Sequence, residues 1–243
     1  MNEILNSLKN RKSVRSFLQK EISEMDKLAI LKAAMAAPTA GNQQLYTILN
    51  ITNQALKERL AETCDHQPFI AKAPFVLIFC ADVQKWYDVF VEGGAKPRKP
   101  GMGDLLLAVS DANIAAQNAV VAAESLGIGS CYIGDILENC EIHRELLNLP
   151  EYVVPAAMLV FGYPTESQIQ RTKPKRCRLK DIVCENQYIR KDGEQLRAMF
   201  KKETVNRSFE EWSQAFCNRK YNSDFSKEMS RSAEVYTQAF LKK

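Results

Sequence analysis

The sequence predicts an α+β fold, with helices packed on a central sheet. Three observations carry that expectation. Residues 75–81 and 156–161 are short, continuous apolar runs, the pattern of strands buried on both faces. Residues 104–126 form one long apolar stretch that reads as a core helix. Between them, helical and strand-like segments alternate irregularly, without the steady strand–helix beat of a doubly wound parallel sheet. A chain of 243 residues, 46% hydrophobic, suffices for one large domain or two small ones with a sizeable core.

Taken in order, Asn2 caps a first helix through Ile4, Leu5 and Leu8 that ends near Asn10. Ser23 and Asp26, three residues apart, resemble a capping box and open a second helix, which Pro38 stops. A polar loop follows at 39–44, then a strand at 46–51, a helix at 55–64 and the first apolar strand at 75–81. Residues 93–103 hold four glycines, two prolines and three cations and predict a mobile loop. The long helix carries Asp104, Asp111 and Glu124 with Asn113, Gln117 and Asn118, which argues against a membrane span and for burial in protein. Asp111, Asn113 and Asn118 read as structural. A short strand at 130–134, a helix at 138–147 and the strand at 156–161 follow. The last fifty residues are polar and helix-prone, lack a clean core pattern, and read as an extension that packs on something else, such as a second subunit.

Several function classes are excluded early. Seven cysteines without a Cys-x-x-Cys pair, and only two histidines, leave no zinc or iron–sulfur spacing, and no metal site is expected. The odd cysteine number and the lack of a secretory leader point to reduced thiols and a cytoplasmic protein. Neither a dinucleotide-binding glycine fingerprint, nor a P-loop, nor a nucleophile elbow occurs. Histidine-based acid–base chemistry is hard to build, so the chemistry is expected to reside in a bound cofactor. What stands out is charge. Residues 11–16 hold three cations and two hydroxyls, and residues 171–180 hold six cations. Both suit a phosphate. The bland readings are solvated surface or, for 171–180, a basic nucleic-acid patch. A net charge of +4 is modest for the latter.

The motifs then become specific. Arg11-Lys12-Ser13-Val14-Arg15-Ser16-Phe17, Ala37-Pro38-Thr39-Ala40-Gly41-Asn42-Gln43-Gln44, Glu124-Ser125-Leu126-Gly127-Ile128-Gly129-Ser130 and Phe161-Gly162-Tyr163-Pro164 resemble, in order and approximate spacing, the signatures of the FMN-dependent nitroreductase family. Asp65-His66-Gln67-Pro68-Phe69 and Tyr132-Ile133-Gly134-Asp135 are similar to segments of its larger, NADPH-preferring type, including flavin reductases.

The resemblance implies a central mixed, mostly antiparallel sheet surrounded by helices, in a domain-interlocked homodimer. It implies an FMN-binding domain over 1–190 and a helical extension over 191–243 that packs on the domain or the partner. It also implies FMN as cofactor and NADPH or NADH as reductant, used by ping-pong hydride transfer through flavin N5 to a nitroaromatic or quinone. A flavin reductase releasing free reduced flavin, or other redox chemistry on the same fold, is the adjacent alternative. The partners expected are a second copy and a small-molecule acceptor, with no nucleic acid and no membrane. Arg11, Ser13 and Arg176 would hold the phosphate with Lys12 in the same motif. Lys173 or Lys175 would assist, and the choice among these and Arg178 stays open. Arg15 would face N1 and O2 of the flavin ring, and Gln67 its pyrimidine edge. Pro38, Thr39, Ala40, Gly41, Asn42 and Gln44 form a loop that in the family often reaches across from the other subunit. Tyr132, Ile133 and Gly134 would cover the buried ring face. Lys96, Arg98 and Lys99 are candidates for the 2′-phosphate of NADPH.

Overall fold

Two antiparallel strands, β2 (Phe75–Asp82) and β4 (Val153–Gly162), form the middle of a four-stranded sheet. β1 (Tyr46–Asn50) pairs with β2 on one edge and β3 (Gly129–Ile133) pairs with β4 on the other, all antiparallel. The expected mixed character is confined to an isolated parallel bridge between Ser13 and Ser130. The computed structural model describes residues 2–201, 203–204 and 206–241.

Strand periodicity explains the layers. Phe75, Leu77 and Phe79 of β2, with Leu159 and Phe161 of β4, face one apolar cluster. Val76, Ile78 and Cys80, with Met158 and Val160, face the opposite one. Helices α1 (Glu3–Asn10), α2 (Glu24–Met35) and α6 (Met102–Ser125) belong to the main unit, as do α3 (Gln54–Thr63), α4 (Phe69–Lys72), α5 (Gln84–Glu92), α7 (Cys140–Leu147) and α8 (Glu166–Gln170). α6 is long and apolar enough to cross a membrane by composition. Its small residues Ala112, Ala115, Ala116, Ala119 and Ala123 recur at helical spacing and are buried in the first cluster, so it is the core helix expected.

The caps follow the sequence. Asn2 accepts from Leu5 N, and Ser23 accepts from Asp26 N. The Ser23 hydroxyl in turn donates to the Asp26 carboxylate at 2.8 Å, so the reciprocal arm of the capping box goes side chain to side chain. β4 starts three residues earlier than the apolar run suggests. A bulge opposite Phe79 and Cys80 accommodates Pro155, which has no N–H to give the ladder. The helix expected over 138–147 begins at Cys140, after a 3₁₀ turn at Gly134–Leu137. Helix α5 was not foreseen.

The chain divides into two compact units, residues up to 171 with those from 228 onward, and residues 172–227. The second holds α9 (Leu179–Ile182), α10 (Gly193–Phe200) and α11 (Phe209–Lys220), where Trp212 stacks with Phe200 at 4.9 Å and Phe216 at 5.5 Å. The final helix, α12 (Asp224–Leu241), returns Tyr236, Ala239 and Phe240 to the main unit, where they bury against Leu45, Ala81 and Tyr152.

Candidate functional site

The basic N-terminal motif is laid along the sheet edge as an extended segment. Val14 N donates to Ser130 O at 2.9 Å, Leu18 N to Tyr163 O at 2.8 Å, and Thr165 N to Ser16 O at 3.2 Å. Alternation then buries Val14, while Arg15 stays exposed. Two glycines make this docking possible. A Cβ on Gly129 would sit 2.6 Å from Val14 Cγ2, and one on Gly162 would sit 2.6 Å from the Phe17 ring. The glycine signatures at 127–129 and 161–164 are therefore steric seats for residues 14 and 17.

This seam gathers cations. The Arg171 guanidinium donates to Ser13 O. Lys12 Nζ donates to the carbonyls of Ile169 at 2.6 Å and Arg171 at 2.5 Å, so its charge ties the 169–171 segment to the motif. Burial pushes the Cys131 thiol up, while Arg15, a Ser13 hydrogen bond, Arg11 and Arg171 pull it back down. Burial raises the Tyr132 phenol to about 12 against the opposing pull of Arg11. Arg11 Nη1, Arg171 Nε and Ser130 Oγ are buried without a hydrogen-bond partner. Unpaired buried guanidinium nitrogens are costly unless an anion meets them. The donor set fits a phosphate ester. Arg171 stands inside the 171–180 run but was not singled out in sequence; its nearness to Ser13 appears only in the fold.

Gln67 is presented by a strained turn. Asp65 and His66 both adopt left-handed backbone, φ +58 and +50, where side chains are disfavoured. Asp65 occupies the glycine position of the resembling motif, and this φ explains that glycine. Gln67 Nε2 donates to Cys64 O and to Asp135 Oδ2, both at 2.8 Å. Both neighbours are acceptors, so the nitrogen must face them, and Oε1 is left over. Asp135 follows Gly134, where added side-chain atoms would meet only open space. The Ile133 side chain is buried in the second apolar cluster, so only its backbone is available to a ligand.

Beside Asp135, Glu138 is buried, and burial with Asp135 raises its carboxyl to about 8 from an ordinary 4.5. The folded state thus keeps a proton that the unfolded chain loses near 4.5. Stability from it is complete below that pH and is lost as pH rises through about 8. Tm should fall across this window, and a Glu138→Gln variant should flatten the fall in pH-resolved thermal melts.

The 38–44 loop is organised from α6. Asp111, 3% exposed, accepts from the Thr39 hydroxyl, from Ala40 N at 3.0 Å and from Leu45 N at 3.2 Å. Thr39 Oγ1 also accepts from Gln44 N at 2.7 Å, so this hydroxyl is committed to shaping the loop. Gly41, Asn42 and Gln44 are left-handed, and Pro38, Asn42 and Gln44 are exposed. Helix α5 braces the outer side, with Trp86 Nε1 donating to Gln43 O at 2.7 Å and Lys85 Nζ to Gln44 O at 2.9 Å. The Trp86, Tyr87 and Phe90 spacing was the available sign of that helix.

Other candidates lie on different segments. Arg98 is bound bidentately to Asp104 at 2.6 and 2.9 Å and so pins the 93–101 segment to the start of α6; Lys96 and Lys99 remain exposed. Lys173, Lys175 and Arg176 belong to the 172–227 unit. There, Lys175 and Arg176 line a cavity of about 510 Å³ with Phe200, Trp212 and Phe216.

The chain is 30% identical over 234 residues to "FMN reductase [NAD(P)H]" of Bacillus subtilis, covering 90% of this chain and 91% of that one. It is 34% identical over 189 residues to an oxygen-insensitive NADPH nitroreductase of Salmonella typhimurium, covering 77% and 75%. The solved structure of B. megaterium NfrA2 superposes with a TM-score of 0.84 at 28% identity over 100% of both chains. The Nitroreductase family matches residues 8–163, which include the basic 11–17 motif, the Asp111-held loop, the Gln67 turn and both glycine seats, and the chain belongs to that family.

Proposed function

We propose that this protein is an NAD(P)H-dependent FMN oxidoreductase that reduces small acceptors such as nitroaromatics or quinones. The observation that carries the reading is the pair of buried, unpartnered guanidinium nitrogens on Arg11 and Arg171, flanking Ser13 on the seam. Bound FMN would supply hydride transfer from the nicotinamide to the acceptor. Arg11, Ser13 and Arg171 would hold its phosphate, and Lys12 would keep the 169–171 segment in place. Arg15, exposed on the same segment, would stabilise negative charge on the ring. Tyr132 and Gly134 would line the ring. The name of the B. subtilis relative supports a second reading, in which free FMN is itself a substrate; saturable turnover with added FMN would distinguish it.

A homodimer completes the reading. α1 leaves Ile4, Leu5 and Leu8 exposed and α6 leaves Leu106 and Leu107 exposed, which gives apolar faces for a second copy. Pro38 to Gln44 would then serve the partner's ring. The described cysteines are all free, as suits a reducing cytoplasm.

Absorption spectra and anaerobic bleaching by NADPH test the reading directly. Arg11→Ala and Arg171→Ala should each weaken FMN about 10- to 100-fold, the worth of one or two charge-assisted hydrogen bonds. Riboflavin, which lacks the phosphate, should be little affected. Equal loss for both flavins would place the arginines elsewhere. A colourless protein that does not take up excess FMN would end the proposal.

A further inference from the structure

Two carboxyls lie behind Gln67 where the resembling family motif carries glycine at the first of them. Asp135 accepts the Gln67 amide N–H at 2.8 Å. Glu138, one 3₁₀ turn later, is 5% exposed, and its Oε1 is buried with no partner. We propose that Asp135 and Glu138 are a proton-sharing pair of positioning residues that locks Gln67 oxygen-outward, so that the site selects a ring edge with an N–H donor between two acceptors. This rests on the flavin reading above, in which Gln67 meets the pyrimidine edge.

The chemistry closes without further groups. A buried carboxyl beside a second carboxyl resists ionising, and burial with Asp135 raises Glu138, so Glu138 is the one that holds a proton. Glu138 keeps it and donates to Asp135, which satisfies the orphaned oxygen. Asp135 takes one Gln67 N–H, while Cys64 O takes the other. Gln67 Oε1 can then only accept, and the flavin edge offers N3–H between O2 and O4. The charged neighbours acting on Glu138 are Asp135, Asp65 from the turn after α3 and Glu228 from α12, all acidic. The α12 cation Arg231 is already held by Glu228 and Glu141, each at 2.8 Å. His143 of α7 is turned to Ile136 O and Thr63 Oγ1, and burial lowers it, so it stays neutral. Burial and acidic surroundings together hold the Glu138 proton up to about pH 8. Above that, Glu138 loses the proton it shares with Asp135 and the lock on Gln67 is released.

The test is competition between FMN and N3-methyl-FMN, which lacks the donor, by quenching of flavin fluorescence. Wild type should prefer FMN by roughly tenfold at neutral pH, one hydrogen bond's worth, and lose that preference by about pH 9. Asp135→Ala, which frees the amide to turn, should reduce the preference to about threefold or less. Asp135→Asn, which can still accept from Gln67, should restore it. Glu138→Gln, which donates at every pH, should keep the preference at about pH 9. Full preference in Asp135→Ala, or parallel loss in wild type and Glu138→Gln on raising the pH, overturns the proposal. Should Asp135→Ala not fold, the second comparison decides. A wild type that binds both flavins equally overturns the role of Gln67 while leaving the flavin reading standing. Absence of any FMN binding removes that reading itself.

Discussion

Replacing Gly129 by alanine is expected to dislodge the basic N-terminal segment and with it the flavin. The new Cβ would lie 2.6 Å from Val14 Cγ2, 2.9 Å from Cβ and 3.2 Å from Cγ1. Val14 is buried and cannot swing away, because its own N–H is bonded to Ser130 O. β3 cannot retreat either, since it is paired with β4 from Gly129 to Ile133. Overpacking of this kind costs about 1–3 kcal/mol where neighbours can shift, and a pinned backbone puts this site at the upper end. The loss should appear in urea denaturation as a lower midpoint with an unchanged slope. FMN affinity should fall with it by at least about tenfold, because Ser13 and Arg15 ride on the displaced segment. Val14→Ala in the same chain removes two of the three close contacts. A double-mutant cycle should then return a favourable coupling of about 1 kcal/mol or more. If Gly129→Ala unfolds and binds FMN like wild type, the steric-seat account of the glycine signature is wrong.

How far the sequence could lead is seen at these same residues. Strands β2 and β4 were legible because burial on both faces leaves a continuous apolar run, and α6 because its small residues keep helical spacing. The caps Asn2 and Ser23 were legible because capping is a local matter of one side chain and its own next turn. The motif at 11–17 could be read as phosphate-grade by composition alone. That Lys12 would be turned to backbone carbonyls and Arg171 to Ser13 depends on contacts across more than 150 positions, which no local pattern encodes. Thr39 was read as a ligand contact, and its bond to Asp111, which shapes the loop, could not be read from the sequence. Asp111 itself was taken as structural from its place on an apolar helix, but its partners, Thr39 to Leu45, lie some seventy positions away. Helix α5 is short, its apolar residues Trp86, Tyr87, Val89, Phe90 and Val91 are broken only by Asp88 and so blur the helical spacing, and none of its residues is buried.

Removal of the Asp111 carboxylate should have the second large effect, and by a different route. One buried side chain satisfies the Thr39 hydroxyl, Ala40 N and Leu45 N together. Asp111→Ala leaves three donors without an acceptor, at about 1–3 kcal/mol each where water cannot reach them. Water can reach part of the loop, so a total of about 3–5 kcal/mol is expected. Asp111→Asn preserves the shape but turns one acceptor into a donor against donors, and about 2 kcal/mol should be lost. The backbone makes the loop unusually dependent on this anchor. Gly41, Asn42 and Gln44 hold φ of +57, +56 and +50, and such conformations persist only where surrounding bonds enforce them. Freed of Asp111, residues 39–44 should relax toward ordinary turns, which hydrogen exchange at Ala40 and Leu45 would report as lost protection. Thr39→Val serves as the graded control, since Ala40 N and Leu45 N keep their partner, and about 1 kcal/mol should be lost. Equal destabilisation by Thr39→Val and Asp111→Ala would mean that the hydroxyl, not the carboxylate, carries the loop. The distinction matters for the site, because in a dimer the 38–44 loop would act on the partner's flavin. Mixed dimers pairing an Asp111→Asn chain with an Arg11→Ala chain should then keep one of two sites intact if each defect acts in cis to its own loop or seam and in trans to the other. The measured flavin content per dimer would show which residues of two chains meet on one ring.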